Sequence, residues 1–233
     1  MPQGAWVLER LLQRATATVA EPAGDRWRRI RLQTAGHLDW KPGHHIRVQV
    51  APLSLRSPRD LLRTYTVWDY TEGALELRVF EHGEGPGARW ARDLAPGSEV
   101  MFKAPEGRFT VRPDAPDHLF IGEETASVAI GAMARSLHGR CRALIAVNDV
   151  ADQLPIEGDV QWIQNGTTLA PDPRTLVQAV ASLPDVQPGT VAYIAGEAQT
   201  CQAVKRHLLH ERDWPRRDIV IKPFWTPGRR GMD

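Results

Sequence analysis

Cysteine is scarce in this chain: among 233 residues only Cys141 and Cys201 carry thiols. Two thiols cannot build a disulfide scaffold, a four-thiolate zinc site or an iron–sulfur cluster. No run of 18 or more apolar residues occurs, which excludes a helical bilayer span. Nor is there an excess of charge of either sign, since 29 Lys and Arg stand against 28 Asp and Glu, a formal +1. No bulk basic field therefore invites nucleic acid or an anionic membrane surface. Met1–Arg14 carries Glu9 and Arg10 inside its apolar stretch and has no signal-peptide apolar core. A reducing, cytoplasmic setting is expected, and redox chemistry, if present, must come from a bound organic cofactor. Nothing calls for an obligate partner, so a monomer is expected.

What the chain does have is a change of period halfway along. Ile30 and Leu32, then Ile46, Val48 and Val50, then Leu75, Leu77 and Val79, then Val100 and Phe102, alternate with polar residues. Period two in short runs between Gly, Pro and Asp punctuation predicts an antiparallel sheet or barrel. Ala88–Leu94 fits two helical turns, with Pro86 near the start. Beyond Leu119-Phe-Ile121 the spacing becomes helical: Ala126, Ile130, Met133 and Leu137 share one face, and His138-Gly139 closes that helix. Strands near Cys141–Val147, Val160–Ile163, Val191–Ala195 and Ile219–Lys222 alternate with helices near Pro173–Leu183 and Glu197–Arg212. Such alternation predicts a parallel sheet with helices on its faces. The expected organisation is two domains: an N-terminal antiparallel β-barrel over residues 1–114, then an α/β nucleotide-binding domain over 115–233 that includes the C-terminal tail. The join falls at the Pro-rich stretch Pro113-Asp-Ala-Pro116.

Five segments can carry chemistry. Arg63-Thr-Tyr-Thr66 opens a strand, so Arg63 and Tyr65 share a face and can meet one ligand. A guanidinium pairs with phosphate, a Tyr ring lies against a planar heterocycle, and Thr66 can hydrogen-bond a ring nitrogen. The tetrapeptide alone reads more readily as a surface strand bearing a cross-strand aromatic pair. Phe80-Glu-His-Gly-Glu-Gly-Pro-Gly-Ala-Arg-Trp90 runs from a strand through a glycine-rich loop into a short helix. The backbone N–H groups of such a helix start attract phosphate, although a long hairpin loop reads the same way. Phe120-Ile-Gly-Glu-Glu-Thr-Ala126 is a strand–glycine–helix turn of dinucleotide-binding type without the Gly-x-Gly-x-x-Gly fingerprint. Its two acids suit a helix start but not a pyrophosphate, so a functional turn needs them pointed elsewhere. Tyr193-Ile-Ala-Gly-Glu-Ala198 is a second such turn, expected at the same crevice. Lys222-Pro-Phe-Trp225 ends in an aromatic that can cover a flavin or pack a domain.

Taken in order, these segments resemble the siderophore-interacting protein family, flavin-dependent ferric-siderophore reductases within the ferredoxin-reductase-like flavoenzymes. The family pattern is Arg-x-Tyr-Thr, a His-Gly…Gly-Pro-Ala-Ser-x-Trp loop, Gly-Asp-Glu-Thr-Ala, an Ala-Gly-Glu-Ala strand end and a C-terminal Tyr-Trp. Here these stand as Arg63–Thr66, His82–Trp90, Gly122–Ala126, Ala195–Ala198 and Phe224-Trp225. The resemblance covers roughly residues 10–228 and implies FAD on the barrel domain. Arg63 would pair with its phosphate, Tyr65 would pack against the isoalloxazine and Thr66 would sit near its reactive edge. His82, Gly83 and Gly87-Ala88-Arg89 would line the flavin and its pyrophosphate. Thr125, with Ala126 beside it, would sit where nicotinamide meets flavin, and Glu197 and Trp225 near the entrance. The chain departs from the pattern at Trp68, where Arg is usual, so one phosphate contact is missing. Gly87 stands for Ala, Ala88 for Ser, Glu123 for Asp and Phe224 for Tyr.

The resemblance implies hydride transfer from NADPH or NADH to FAD, then outer-sphere electron transfer to a ferric siderophore. No acid–base residue and no protein metal ligand is required. Reduction weakens the hold of hard oxygen ligands on iron, so the metal is released with the chelator intact. Ferredoxin is an alternative electron donor. Asn148-Asp149, after the strand ending near Val147, favours ribose hydroxyls over a 2′-phosphate. An anionic ferric siderophore would be captured by a basic rim, with Arg229 and Arg230 first, then Lys222, Arg56 and Arg59. Two other readings share the residues: a flavin reductase of the same fold with another acceptor, and a siderophore carrier that has lost flavin.

Overall fold

Alternating burial shapes the first half of the protein. The computed structural model describes residues 12–51, 62–81, 83–166 and 172–228. Six strands, β1 (Gln13–Pro22), β2 (Trp27–Thr34), β3 (His45–Gln49), β4 (Leu62–Thr71), β5 (Ala74–Phe80) and β6 (Glu99–Glu106), form a closed antiparallel barrel in the order β1-β2-β5-β4-β3-β6. Ile30, Leu32, Ile46, Val48, Leu75, Leu77 and Phe102 point inward and are fully buried. Each contributes roughly 1.5–3 kcal/mol by leaving water. Alternation breaks once in β4, where the register with β5 shifts between Val67 and Asp69. The bulge lets the successive residues Val67 and Trp68 both be buried. Helix α1 (Pro86–Asp93) starts on Pro86, whose fixed φ suits a first helical turn. It lays Trp90 and Ala91, followed by Leu94, against the barrel core.

The chain divides between Arg108 and Phe109 into two compact units. Phe109 and Val111 already belong to the second unit's core, ahead of the Pro113–Pro116 stretch.

That second unit is a five-stranded parallel sheet. Its strands are β7 (His118–Glu123), β8 (Arg142–Val147), β9 (Asp159–Gln164), β10 (Val191–Glu197) and β11 (Ile219–Trp225), ordered β11-β10-β7-β8-β9. The central strands β7 and β10 are buried along their whole length, as expected of a sheet covered on both faces. Phe120 and Tyr193 pack with Ile130 and Met133 of helix α2 (Ser127–Ser136) on one face. Leu119, Ile121 and Leu144 pack on the other face, against helices α3 (Pro173–Ala181) and α4 (Ala198–His210). Helix α2 is buried on all sides from Ser127 to Ala134. It ends as its sequence predicts: His138 (φ 51°) and Gly139 (φ 71°) turn left-handed, and the Gly139 N–H donates to the Ala134 carbonyl at 3.1 Å. The Arg212 guanidinium closes the end of α3, donating to the carbonyls of Val180, Leu183 and Pro184 at 3.2, 2.7 and 3.1 Å. Among the described residues no helix is long and apolar enough to cross a membrane.

Candidate functional site

In the barrel unit, the start of α1 lies against β4. Residues two apart on a strand share a side, and here Arg63 and Tyr65 both face Gly87. A Cβ on Gly87 would stand 2.7 Å from Tyr65 Oη and 3.3 Å from Arg63 Cγ, so an alanine here would push both side chains aside. The Tyr65 ring stacks on Trp90 with centroids 5.4 Å apart and planes 28° apart. Burial pushes the Tyr65 phenol well above its ordinary range, and the neighbouring Arg63 charge partly opposes that. The Arg63 Nη1 donates to the Leu62 carbonyl at 2.8 Å.

The α1 N-terminus is chemically distinctive. Its capping residue, Gly85, offers no side-chain acceptor, and Pro86 brings no N–H. The N–H groups of Gly87 and Ala88 therefore open the helix at its positive end. The loop before it is folded back by Arg92, whose Nη2 meets Glu84 Oε2 at 2.6 Å. Gly83 (φ 64°) and Arg89 are exposed there, whereas Ala88 and Thr66 are half-buried. Trp68, at the position expected to lose a phosphate contact, is 5% exposed and lies beneath the Arg78 guanidinium, 5.7 Å from ring centroid to Cζ. It faces a cation, and its burial follows from the β4 bulge. His82 lies outside the described residues.

In the α/β unit, the turns after β7 and β10 are side by side. A Cβ on Gly122 would stand 2.7 Å from the Ala195 carbonyl oxygen. Gly196 has φ 120°, and a Cβ there would run into the Glu123 carboxyl group. The Glu123 side chain thus lies over the Gly196 backbone, 1% exposed. Its Oε2 accepts the Thr125 N–H at 2.8 Å, and its Oε1 accepts the Thr125 hydroxyl and, at 3.0 Å, the Trp225 indole N–H. Burial pushes the Glu123 carboxyl up, and these donors pull it back. Glu197, 2% exposed, caps α4 in the same way, accepting the N–H groups of Gln199 and Thr200 at 2.9 and 2.7 Å. Glu123, one of the two acids that looked wrong for a pyrophosphate, is therefore turned onto its own helix start, as is Glu197. Cys201 is buried nearby; burial, and then the Glu123 and Glu197 charges, hold its thiol well above the ordinary range.

Thr125 and Trp225 are half-buried and are brought together through Glu123, while Ala126 is fully buried in the sheet's core. Lys222 is exposed on the edge strand β11. Asp149 accepts the Ala151 N–H at 2.9 Å, capping the turn after β8. Arg56, Arg59, Arg229 and Arg230 lie outside the described residues. Among the described residues, no group of three or more His, Cys, Asp or Glu could hold a metal ion. Sequence reasoning missed Trp90 as the partner of Tyr65, Gly196 as the seat of Glu123, and the bond from Glu123 to Trp225 across 102 positions. Only the stacking partner left a local trace, an aromatic one helical turn from Gly87.

A closed antiparallel barrel carrying an uncapped helix start, followed by a parallel sheet with helices on both faces, defines a two-unit chain of barrel and α/β type. The sequence profile of the siderophore-interacting FAD-binding domain matches residues 11–109, and that of siderophore-interacting protein matches residues 115–228. The chain belongs to the siderophore-interacting protein family. It is 28% identical over 176 residues to the ferric vibriobactin reductase ViuB of Vibrio cholerae, an alignment covering 72% of this chain and 65% of that one. The chain thus spans just under two thirds of that reductase. The Mycobacterium tuberculosis protein Rv2895c is 33% identical over 207 residues, covering 76% of this chain and 72% of that one. Among solved structures, the siderophore utilization protein from T. fusca superposes with a TM-score of 0.81 at 21% identity, covering 95% of each chain.

Proposed function

We propose that the protein is an NAD(P)H-dependent, FAD-containing ferric-siderophore reductase. The observation that carries this reading is a contrast between helix starts. Glu123, Asp172 and Glu197 cap the turns they precede with their own carboxylates. The start of α1 has no side-chain cap and has the Arg63 stem against it. An anion is favoured at the uncapped start and disfavoured at the acid-capped ones. The FAD pyrophosphate is therefore assigned to Gly87, Ala88 and Arg63, with Gly83 and Arg89 beside it.

Bound FAD would supply the two-electron to one-electron conversion that a nicotinamide donor and a ferric acceptor require. The chain's own residues hold and screen. Tyr65, backed by Trp90, presents an aromatic face to the isoalloxazine, and Thr66 offers a hydrogen bond at its edge. Thr125 and Trp225 receive the nicotinamide, with Glu197 beside them. Lys222 and the tail arginines 229 and 230 attract an anionic ferric chelate, which is substrate and needs no protein ligand. The protein works as a monomer in the cytoplasm, a setting supported by two cysteines that form no disulfide.

Titration of the apoprotein with FAD, followed by flavin fluorescence, tests the assignment. Arg63→Ala should weaken binding by about 1.5–3 kcal/mol, roughly 10–150-fold. Unchanged affinity would remove Arg63 from the phosphate site. An anaerobic assay with NADH, NADPH or reduced ferredoxin, several ferric chelates and a ferrous trap then tests turnover. A protein that cannot be loaded with FAD, or that reduces no chelate, would defeat the reading.

A further inference from the structure

We infer that Asn165 is a self-modification site, at which the Gly166 backbone nitrogen attacks the side-chain amide and converts this asparagine, through a succinimide, to aspartate and isoaspartate. The chemistry needs no cofactor and involves the α/β unit alone.

The sequence holds two asparagines, and only Asn165 precedes a glycine. A glycine nitrogen has no Cβ beside it to obstruct the approach of a carbonyl carbon. Asn165 follows the last residue of β9, and its N–H donates to the Val147 carbonyl at 2.9 Å. That bond ends the ladder with β8. Beyond it the backbone turns left-handed at Gly166 (φ 82°), which is exposed, and a Cβ there would meet nothing within 4 Å. Among the described residues the Gly166 N–H makes no hydrogen bond, so the nucleophile is unencumbered. The electrophile is untethered as well. The Asn165 Oδ1 is buried without a partner, so no bond at that oxygen fixes the side chain, and its present seat is an unfavourable one. Asn148 differs on each count. It has an interaction partner, and the next residue, Asp149, carries a Cβ and is held by its own cap on the Ala151 N–H.

The step balances within the chain and water. The Gly166 nitrogen gives its proton to solvent base and bonds to the Asn165 Cγ. The bond from Cγ to Nδ2 breaks, and that nitrogen leaves as ammonia. Water then opens the ring at either carbonyl, giving aspartate or isoaspartate with no change of oxidation state. A neutral amide thereby becomes a carboxylate at the carboxyl end of β9, beside the end of β8.

The test incubates the full chain at pH 6 and at pH 8, digests it, and reads the peptides by mass spectrometry, with labelling by an isoaspartyl methyltransferase as a second readout. The Asn165 peptide should convert at least about tenfold faster than the Asn148 peptide, a barrier lower by about 1.4 kcal/mol. Conversion should be faster at pH 8, because the attacking nitrogen must lose its proton. Isoaspartate should accompany aspartate, since direct hydrolysis of the amide yields aspartate alone. The same incubation in guanidinium separates structure from sequence: the native rate should stay within about fivefold of the unfolded rate, because nothing at the end of β9 restrains the reacting groups. Gly166→Ala shields the nitrogen and should slow conversion about tenfold. Asn165→Gln would need a larger ring and should remain intact. An Asn165 rate short of the tenfold margin, product free of isoaspartate, a native rate below the fivefold limit, or a rate unmoved in Gly166→Ala would overturn the inference.

Discussion

Gly196→Ala should be among the most damaging single-methyl changes in the α/β unit. Gly196 has φ 120°, a region that side chains bearing a Cβ rarely enter. Holding Ala there costs about 1–3 kcal/mol in backbone strain. The new methyl also collides with Glu123, standing 3.0 Å from both Cγ and Cδ and closer still to Oε1. Glu123 cannot step aside without breaking its bonds to Thr125 and Trp225, so overpacking adds about 1–3 kcal/mol. A total near 4 kcal/mol corresponds to a fall in Tm of roughly 8–16 °C for a chain of this size. Thermal unfolding of the full chain, followed by circular dichroism, reads that directly. The same change in a Glu123→Ala background isolates the collision. There only backbone strain remains, so the cost should shrink, leaving a coupling of about 1–3 kcal/mol between the two positions. A loss below about 1 kcal/mol, or equal losses in both backgrounds, would refute the reasoning that Glu123 is seated on Gly196.

Three further outcomes are expected. Burial holds the Glu123 proton more tightly in the folded chain than in the unfolded one. Its stabilising contribution is therefore complete below the ordinary value of 4.5 and is lost as pH rises through the higher folded value. The stability of the native protein relative to Glu123→Gln should accordingly decline from about pH 4.5 upward in denaturant titrations, and a rising difference would contradict the burial argument. Arg212→Ala strands the carbonyls at the end of α3 and should cost about 2–3 kcal/mol in urea unfolding; a change under about 0.5 kcal/mol would show that water replaces the clasp without loss. Cys141, pushed up to about 11 by burial, and Cys201, pushed higher, should stay unreactive toward a disulfide reagent at pH 8 until the protein is denatured. Labelling of the native protein within minutes would show that one of them is reachable.

Much of the architecture was legible because periodicity is a local property. Ile46 and Val48 share the barrel interior because residues two apart on a strand share a side, and the same rule brought Arg63 and Tyr65 to one side of β4, against Gly87. The left-handed close of α2 was written in His138-Gly139. Strand β1 escaped notice because its inward residues are Ala15 and Ala17, too small to stand out as a hydrophobic alternation. The pairing of Val67 and Trp68 in burial was hidden as well, since a bulge is a property of two strands and not of either sequence. At the candidate site, residue types and order were readable, and orientation was not. An acid after a glycine can face a ligand or its own helix start, and only packing over Gly196 decides for Glu123. The Trp225 bond is settled by the register of β10 and β11, which sets Glu197 opposite Trp225.

The two units treat their rims differently. The barrel closes β1 onto β6, so its strands leave no unpaired side for another chain to join. The parallel sheet ends at β9 and β11. On β11 the charge of Lys222 and the missing N–H of Pro223 interrupt the row of groups that an intruding strand would need. β9 has no proline, and Trp162 lies in its middle. When this protein is concentrated for crystallisation or stored for long periods, strand-to-strand adhesion should therefore begin along β9, and a lysine engineered on that rim is the place to improve its handling.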